Sequence, residues 1–205
     1  MEHIETEVKF ILSDVQSVRE RIVELGVDVK GRVFETNMRF DDVDESLLRN
    51  KSLLRLRRDA NTKLTYKSEP AIKDDQFKTF RELEVQVSDF TTMKLILEHL
   101  GFHQAQIYEK WRETFIFDDT LLCLDTMPFG DFLEIEGKKE YIKEAASKIG
   151  LQWGQRITLN YLAIFEIIRQ ELKLPFTDVT FDNFQKIRID IAKYHHLIEA
   201  DLMNS

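Results

Sequence analysis

The sequence predicts an α+β protein with one curled sheet of eight strands, flanking helices and an extra C-terminal helix. Three observations point there. A strand carrying Glu-x-Glu leads into a helix that stops at glycine three times along the chain. Eight segments alternate polar and apolar residues, the two-residue period of a strand. The polar positions of those segments are almost all charged, with the signs segregated by strand.

The first unit is Glu5-Thr6-Glu7-Val8-Lys9-Phe10, followed by Ser13-Asp14 as a helix cap. Val15, Val18, Ile22 and Leu25 follow at helical spacing, and Gly26 is the stop. Residues 33–41 form the second strand. Residues 53–58 and 63–67 form a hairpin with its turn at Asp59–Thr62. The second unit is Glu82-Leu83-Glu84-Val85-Gln86-Val87, with Ser88-Asp89 as cap, a helix over 89–100 and Gly101 as stop. Strands at 108–117 and 121–125 precede the third copy, Glu134-Ile135-Glu136, its helix over 139–149 and Gly150. Such repetition signals a β-α unit used more than once. A further helix spans 157–172 and ends before Pro175, and one more is expected from about 181 to 201. Residues 1–172 are read as one domain and 173–205 as a C-terminal helical extension. The apolar residues of that extension would cover the barrel or meet a second subunit in a homodimer.

Composition excludes several classes. The 205 residues carry a net charge of −8, the wrong sign for a general nucleic-acid binder. Cys123 is the only cysteine, so neither a disulfide framework nor a cysteine-rich zinc site is available. No apolar run is long enough to span a bilayer, and Met1 to Glu5 lack an apolar signal core. The expectation is a cytoplasmic protein with no nucleic-acid or membrane partner. Neither G-x-G-x-x-G nor the P-loop pattern occurs, so a phosphate would be held by side chains.

The charged face carries the chemistry. It presents Glu5, Glu7 and Lys9, then Asn37 and Arg39, Arg55 and Arg57, and Lys63, Thr65 and Lys67. Glu82 and Glu84, Lys110 and Arg112, Cys123 and Asp125, and Glu134 and Glu136 complete it. The interleaved residues, among them Leu54, Leu64, Tyr66, Leu83, Val85 and Trp111, suit packing under helices. One charged face on a single strand is the ordinary wet side of a sheet. Eight such strands suggest a sheet curled around a polar cavity. Basic strands suit a polyanion, and paired carboxylates suit a hard divalent cation such as Mg²⁺ or Mn²⁺.

These residues resemble the CYTH superfamily, the triphosphate tunnel metalloenzymes. Glu5-x-Glu7-x-Lys9 resembles the ExExK signature. Leu54-Arg55-Leu56-Arg57, Leu64-Thr65-Tyr66-Lys67, Lys110-x-Arg112 and Gly130-Asp131-Phe132-Leu133-Glu134-Ile135-Glu136 resemble later family strands, and Asn160-Tyr161-Leu162 a late helix motif. The resemblance covers about residues 2–168 and implies an eight-stranded antiparallel β-barrel, or tunnel. It implies metal binding by Glu5, Glu7, Asp125, Glu134 and Glu136. It implies triphosphate binding by Lys9, Arg39, Arg55, Arg57, Lys63, Lys67, Lys110, Arg112 and Arg156, and catalysis by Glu5, Glu134 and Lys110. Arg81 points away from the charged face, unlike its counterpart in a family RxExE strand. The implied activity is metal-dependent triphosphate hydrolysis. The alternatives are an adenylyl cyclase that makes cyclic AMP and pyrophosphate, and a non-catalytic polyphosphate- or nucleotide-binding protein. His195-His196 and Cys123 are read as structural, and Trp111 and Trp153 as core or rim residues.

Overall fold

The computed structural model describes residues 4–70 and 74–199. Eight strands close into an antiparallel barrel: β1 (Ile4–Leu12), β2 (Asp28–Asp41), β3 (Ser52–Arg58), β4 (Thr62–Ser68), β5 (Lys78–Val87), β6 (His103–Phe117), β7 (Thr120–Met127) and β8 (Gly130–Glu136). Around the ring the order is β1-β5-β4-β3-β2-β6-β7-β8. Five α-helices accompany it: α1 (Val15–Glu24), α2 (Ser46–Arg49), α3 (Phe90–His99), α4 (Lys139–Ile149) and α5 (Tyr161–Leu172).

The expected caps form. Asp14 accepts a hydrogen bond from Ser17 N and Asp89 from Thr92 N, which satisfies donors that a helix start leaves open. The chain leaves α4 through Gly150 at φ 79°, a left-handed conformation that glycine adopts without penalty. Asn160 accepts from Ala163 N to open α5.

Because β-strand side chains alternate, closure sends the charged set inward and the apolar set outward. α1 and α4 cover one outer wall, burying Val8, Phe10, Ile22, Leu133, Ile135 and Ile142. α3 covers a smaller patch with Phe40, Leu56 and Leu97. α5 and the chain beyond it bury Phe129, Phe132, Ile164, Phe165, Val179 and Phe184.

Four expectations change. First, β2 and β6 are longer than their periodicity suggests. They pair from Asp28↔Ile116 to Asp41↔His103, with a register shift at Gly31 that interrupts the alternation. Second, the fifth helix starts at Tyr161, because Ile157 exchanges two backbone hydrogen bonds with Lys9. Third, no helix over 181–201 forms. Val179 N donates to Ile107 O and Glu109 N donates to Val179 O, laying this segment along β6. Only a 3₁₀ turn, Ile191–Leu197, follows, and residues 200–201 lie outside the described residues. The apolar spacing serves an irregular segment that drops side chains into one core. Fourth, Leu83 and Val85 are 47% and 56% exposed, and Tyr66 and Trp111 are also exposed; their outer faces lie in solvent. Helix α2 was not anticipated from the apolar pattern. Asp41 accepts from Leu47 N and Leu48 N and Asp42 from Ser46 N, so polar caps drive it.

Candidate active site

The barrel encloses a cavity of about 1340 Å³. Its lining runs from Val33, Asp59 and Leu121 at one end to Lys51, Ser52 and Gln106 at the other.

Most inward cations are held by inward carboxylates. Lys9 lies between Glu7 and Glu134, 2.9 Å from the latter. Arg112 reaches Glu134 at 2.6 Å and grips Asp125 with two hydrogen bonds of 2.7 and 2.5 Å. Lys110 Nζ donates to Asp125 at 3.0 Å, and Tyr161 Oη donates to the same oxygen at 2.7 Å. On the opposite wall Lys67 pairs with Glu5 and with Glu82 at 2.7 Å, and Lys63 with Glu84 at 2.6 Å. Arg57 lies 3.5 Å from Glu84 and 3.4 Å from Asp59, and Arg55 donates to Tyr108 Oη and Thr65 Oγ1.

Titration follows from this layout. Burial, then a hydrogen bond that protonated Glu5 donates to Glu82, pushes Glu5 up to about 7 against the pull of Lys67. Burial, then Glu5, Glu134 and Glu7, pushes Glu136 up to about 8. Glu134 behaves oppositely: burial opposes its ionisation, but Arg112, Lys9 and Lys110 hold it well below the ordinary range. Burial above all, with Asp125 and Glu134 adding to it against Arg112, pushes the Cys123 thiol up to about 12, which disfavours a thiolate nucleophile.

Lys9, Arg39, Arg55, Arg57, Lys63, Lys67, Lys110, Arg112, Glu5, Glu7, Glu134 and Glu136 all line the one cavity. Two expected site residues do not. Asp125 is 1% exposed and sits behind Lys110 and Arg112, which it orients together with Tyr161. Arg156 lies outside the lining; its Nε donates to Gln76 O, its Nη1 donates to Trp153 O, and its guanidinium covers the Trp153 ring. A residue on an extended link beside a tryptophan packs differently from one on a helix.

Glu35 and Lys78 are among the lining residues that the sequence pattern does not single out. Glu35 precedes Asn37 and Arg39 by the same two-residue step, and that alternation was the available signal. Lys78 is two residues before Phe80 and four before Glu82; the Glu-x-Glu pattern marks the strand only from Glu82, whereas β5 begins at Lys78. Burial, then Lys9, pushes the Lys78 amine down to about 8. Neither Arg39 nor Lys78 has an ion pair among the described residues.

A closed barrel whose inner wall bears cations along its length and carboxylates on β1, β2, β5 and β8 is a tunnel suited to a polyanion. A sequence profile of the CYTH domain matches residues 3–151, and the chain belongs to the CYTH domain family. A Methanocaldococcus jannaschii protein named "Putative adenylate cyclase" is 32% identical over 143 residues, covering 69% of this chain and 81% of that protein. A crystal structure from Vibrio parahaemolyticus with the same name superposes with a TM-score of 0.73 at 18% identity, over 81% of this chain and 99% of that one. A Hippeastrum adenylyl cyclase homologue, described as having a dominant triphosphatase activity, superposes at 0.57 and 17% identity, over 80% and 95% of the two chains. The chain is an enzyme of this family, whose members bind triphosphates and depend on a divalent metal. No helix among the described residues is long and apolar enough to cross a membrane.

The donor set suits such a metal. Glu136 makes no ion pair among the described residues and faces three other carboxylates that outweigh the pull of Lys67, an excess of hard oxygen donors that a divalent cation would neutralise. As they stand, no three acidic or imidazole groups among the described residues converge to ligand distance. Lys9 and Lys67 occupy Glu7 and Glu5 instead.

Proposed function

We propose that this barrel hydrolyses a triphosphate with the help of Mg²⁺ or Mn²⁺. The single observation that carries the reading is the inner wall itself: Lys9, Arg39, Arg55, Arg57, Lys63, Lys67, Lys78, Lys110 and Arg112 face one cavity. Arginine grips phosphate oxygens in pairs and lysine acts as a point charge, so the wall spans several phosphoryl groups at once.

Glu5, Glu7, Glu134 and Glu136 would hold the metal, with Asp125 behind them orienting the cations. A bound divalent ion would neutralise phosphoryl oxygens and lower the pKa of a bound water. The chain's own residues do the rest. Lys9 and Lys67 exchange carboxylate partners for phosphate oxygens. Lys110, steered by Asp125 and Tyr161, neutralises charge at the leaving oxygen. Glu5 or Glu134, whichever the metal leaves free, takes the proton from the attacking water. Positioning and charge stabilisation dominate phosphoryl transfer, so this pre-set cage is the catalyst.

The name of the Methanocaldococcus relative supports a second reading, adenylyl cyclisation. There the ribose 3′-hydroxyl attacks the α-phosphorus and pyrophosphate leaves. Product analysis with purified protein, Mg²⁺ or Mn²⁺, and ATP or tripolyphosphate separates the two. Orthophosphate supports hydrolysis, cyclic AMP with pyrophosphate replaces it with cyclisation, and no product from either points to a different organic triphosphate or to a non-catalytic binding protein.

A further inference from the structure

Among the described residues, the buried side-chain nitrogens and oxygens without a hydrogen-bond partner all lie on two neighbouring strands. They are Glu35 Oε2, Asn37 Oδ1 and Nδ2 and Arg39 Nε on β2, and Arg55 Nε and Arg57 Nε on β3. Buried polar groups are normally paired, so the four on the lining residues Glu35, Arg39, Arg55 and Arg57 mark a place where something else binds.

The three guanidinium nitrogens are donors, which suits phosphate. Glu35 Oε2 is an acceptor. A fully ionised phosphate chain offers only lone pairs and leaves it unsatisfied. Glu35 is 2% exposed and lines the cavity. Its cations stand off at 3.6 Å for Lys110 Nζ and 3.7 Å for Arg57 Nη1, beyond hydrogen-bond distance. Lys110, Arg112, Arg57 and Arg55 nevertheless keep it ionised against its burial. A buried anion with an unbonded oxygen, set among phosphate-binding cations, repels phosphate and attracts a donor. Asn37, fully buried between its register partners Arg57 and Tyr108, lies outside the cavity lining.

We propose that Glu35 is a specificity-determining residue that accepts a hydrogen bond from a hydroxyl on the organic end of the substrate, so that the cavity prefers a triphosphate bearing a sugar or similar polyol over inorganic tripolyphosphate. This rests on the triphosphate reading of the cavity.

The test is calorimetric titration in chelator with ATP, 2′-deoxy-ATP, 3′-deoxy-ATP and tripolyphosphate, on the unmodified protein and on Glu35→Gln and Glu35→Ala. The unmodified protein should bind ATP about tenfold tighter than one of its deoxy analogues, the weight of a hydrogen bond to a charged group. In both variants ATP binding should weaken while tripolyphosphate binding tightens, so the preference falls by about tenfold or more. Equal changes for ATP and tripolyphosphate, or an unmodified protein indifferent to both hydroxyls, would overturn the proposal and leave the triphosphate reading standing. Failure of the unmodified protein to bind any of the four would remove both. The comparison of ATP with its deoxy analogues needs no variant, so it holds even if a substitution fails to fold.

Discussion

Glu136 stands opposite Glu7 across the β1–β8 ladder, and both side chains face the cavity. Two carboxylates share a wall on which Lys9 pairs with Glu7, whereas Glu136 is buried, makes no ion pair among the described residues and feels Lys67 less than it feels Glu5, Glu134 and Glu7. Glu136 therefore keeps its proton up to about 8, against an ordinary 4.5. The unfolded chain gives that proton up near 4.5, so the native state binds more protons between the two values, and stability falls as pH rises through that window. Glu5, raised to about 7, adds to the same slope. Melting temperature in chelator should decline from about pH 5 to pH 8, and Glu136→Gln should flatten part of that decline. Mg²⁺ or Mn²⁺ should stabilise the protein more at pH 8 than at pH 6, because metal and protons compete for the same oxygens. A metal effect independent of pH would remove Glu136 from the metal site.

Glu7→Gln separates catalysis from folding. Lys9 keeps Glu134 at 2.9 Å, so the buried amine is not stranded. Turnover should fall by about 100-fold or more, since even outer-shell metal contacts are worth 10–100-fold. Circular dichroism should match the parent. An unchanged rate would sink the metal assignment.

Asp125→Asn should behave differently. From behind the cavity surface this carboxylate holds the lining residues Lys110, Arg112 and Tyr161. Neutralising it strands buried cations, which costs about 3–5 kcal/mol and lowers the melting temperature on the order of 10 °C. The loss should appear in chelator. A variant that melts normally in chelator but loses metal affinity would make Asp125 a metal ligand instead.

Much of this site was legible because a strand's alternation is strict. Once Glu5, Glu7 and Lys9 are read as one face, closure of the sheet makes that face an interior. The repeat, the aspartate caps and the glycine stops are local signals, and they located α1, α3 and α4. What failed was non-local. Arg156 looked like a cavity residue until Trp153 and the Gln76 carbonyl claimed it. Residues 181–198 have apolar spacing compatible with a helix, yet pairing of Val179 with β6 dictates their path. Lys78 was hidden by a strand boundary, the feature that periodicity marks least well.

Lys78→Gln tests the missed cation. The amine lines the cavity without an ion pair among the described residues and lies 4.9 Å from the Phe80 ring centroid. Loss of its charge should weaken triphosphate binding by about tenfold, the weight of one charge-assisted contact. In the parent, affinity should also fall as pH rises through about 8, where the amine loses its proton. That limb should be absent from the variant. Identical pH profiles would mean that Lys78 does not contact the anion.

Phe184→Ala asks whether residues 173–205 are an appendage or part of the barrel's core. Phe184 is 3% exposed, with ring centroids 5.2 Å from Phe176, 6.0 Å from Phe165 and 6.5 Å from Phe129. Phe129 lies in the β7–β8 turn and Phe165 on α5, so the ring joins the tail to both. Truncation in such a cluster removes transfer energy and leaves a cavity, about 3–5 kcal/mol together. The same cluster contains Tyr161, whose hydroxyl holds Asp125. The variant should therefore melt earlier in one cooperative transition and lose activity before it unfolds. A separate low-temperature transition with turnover intact would instead make the tail an independent extension.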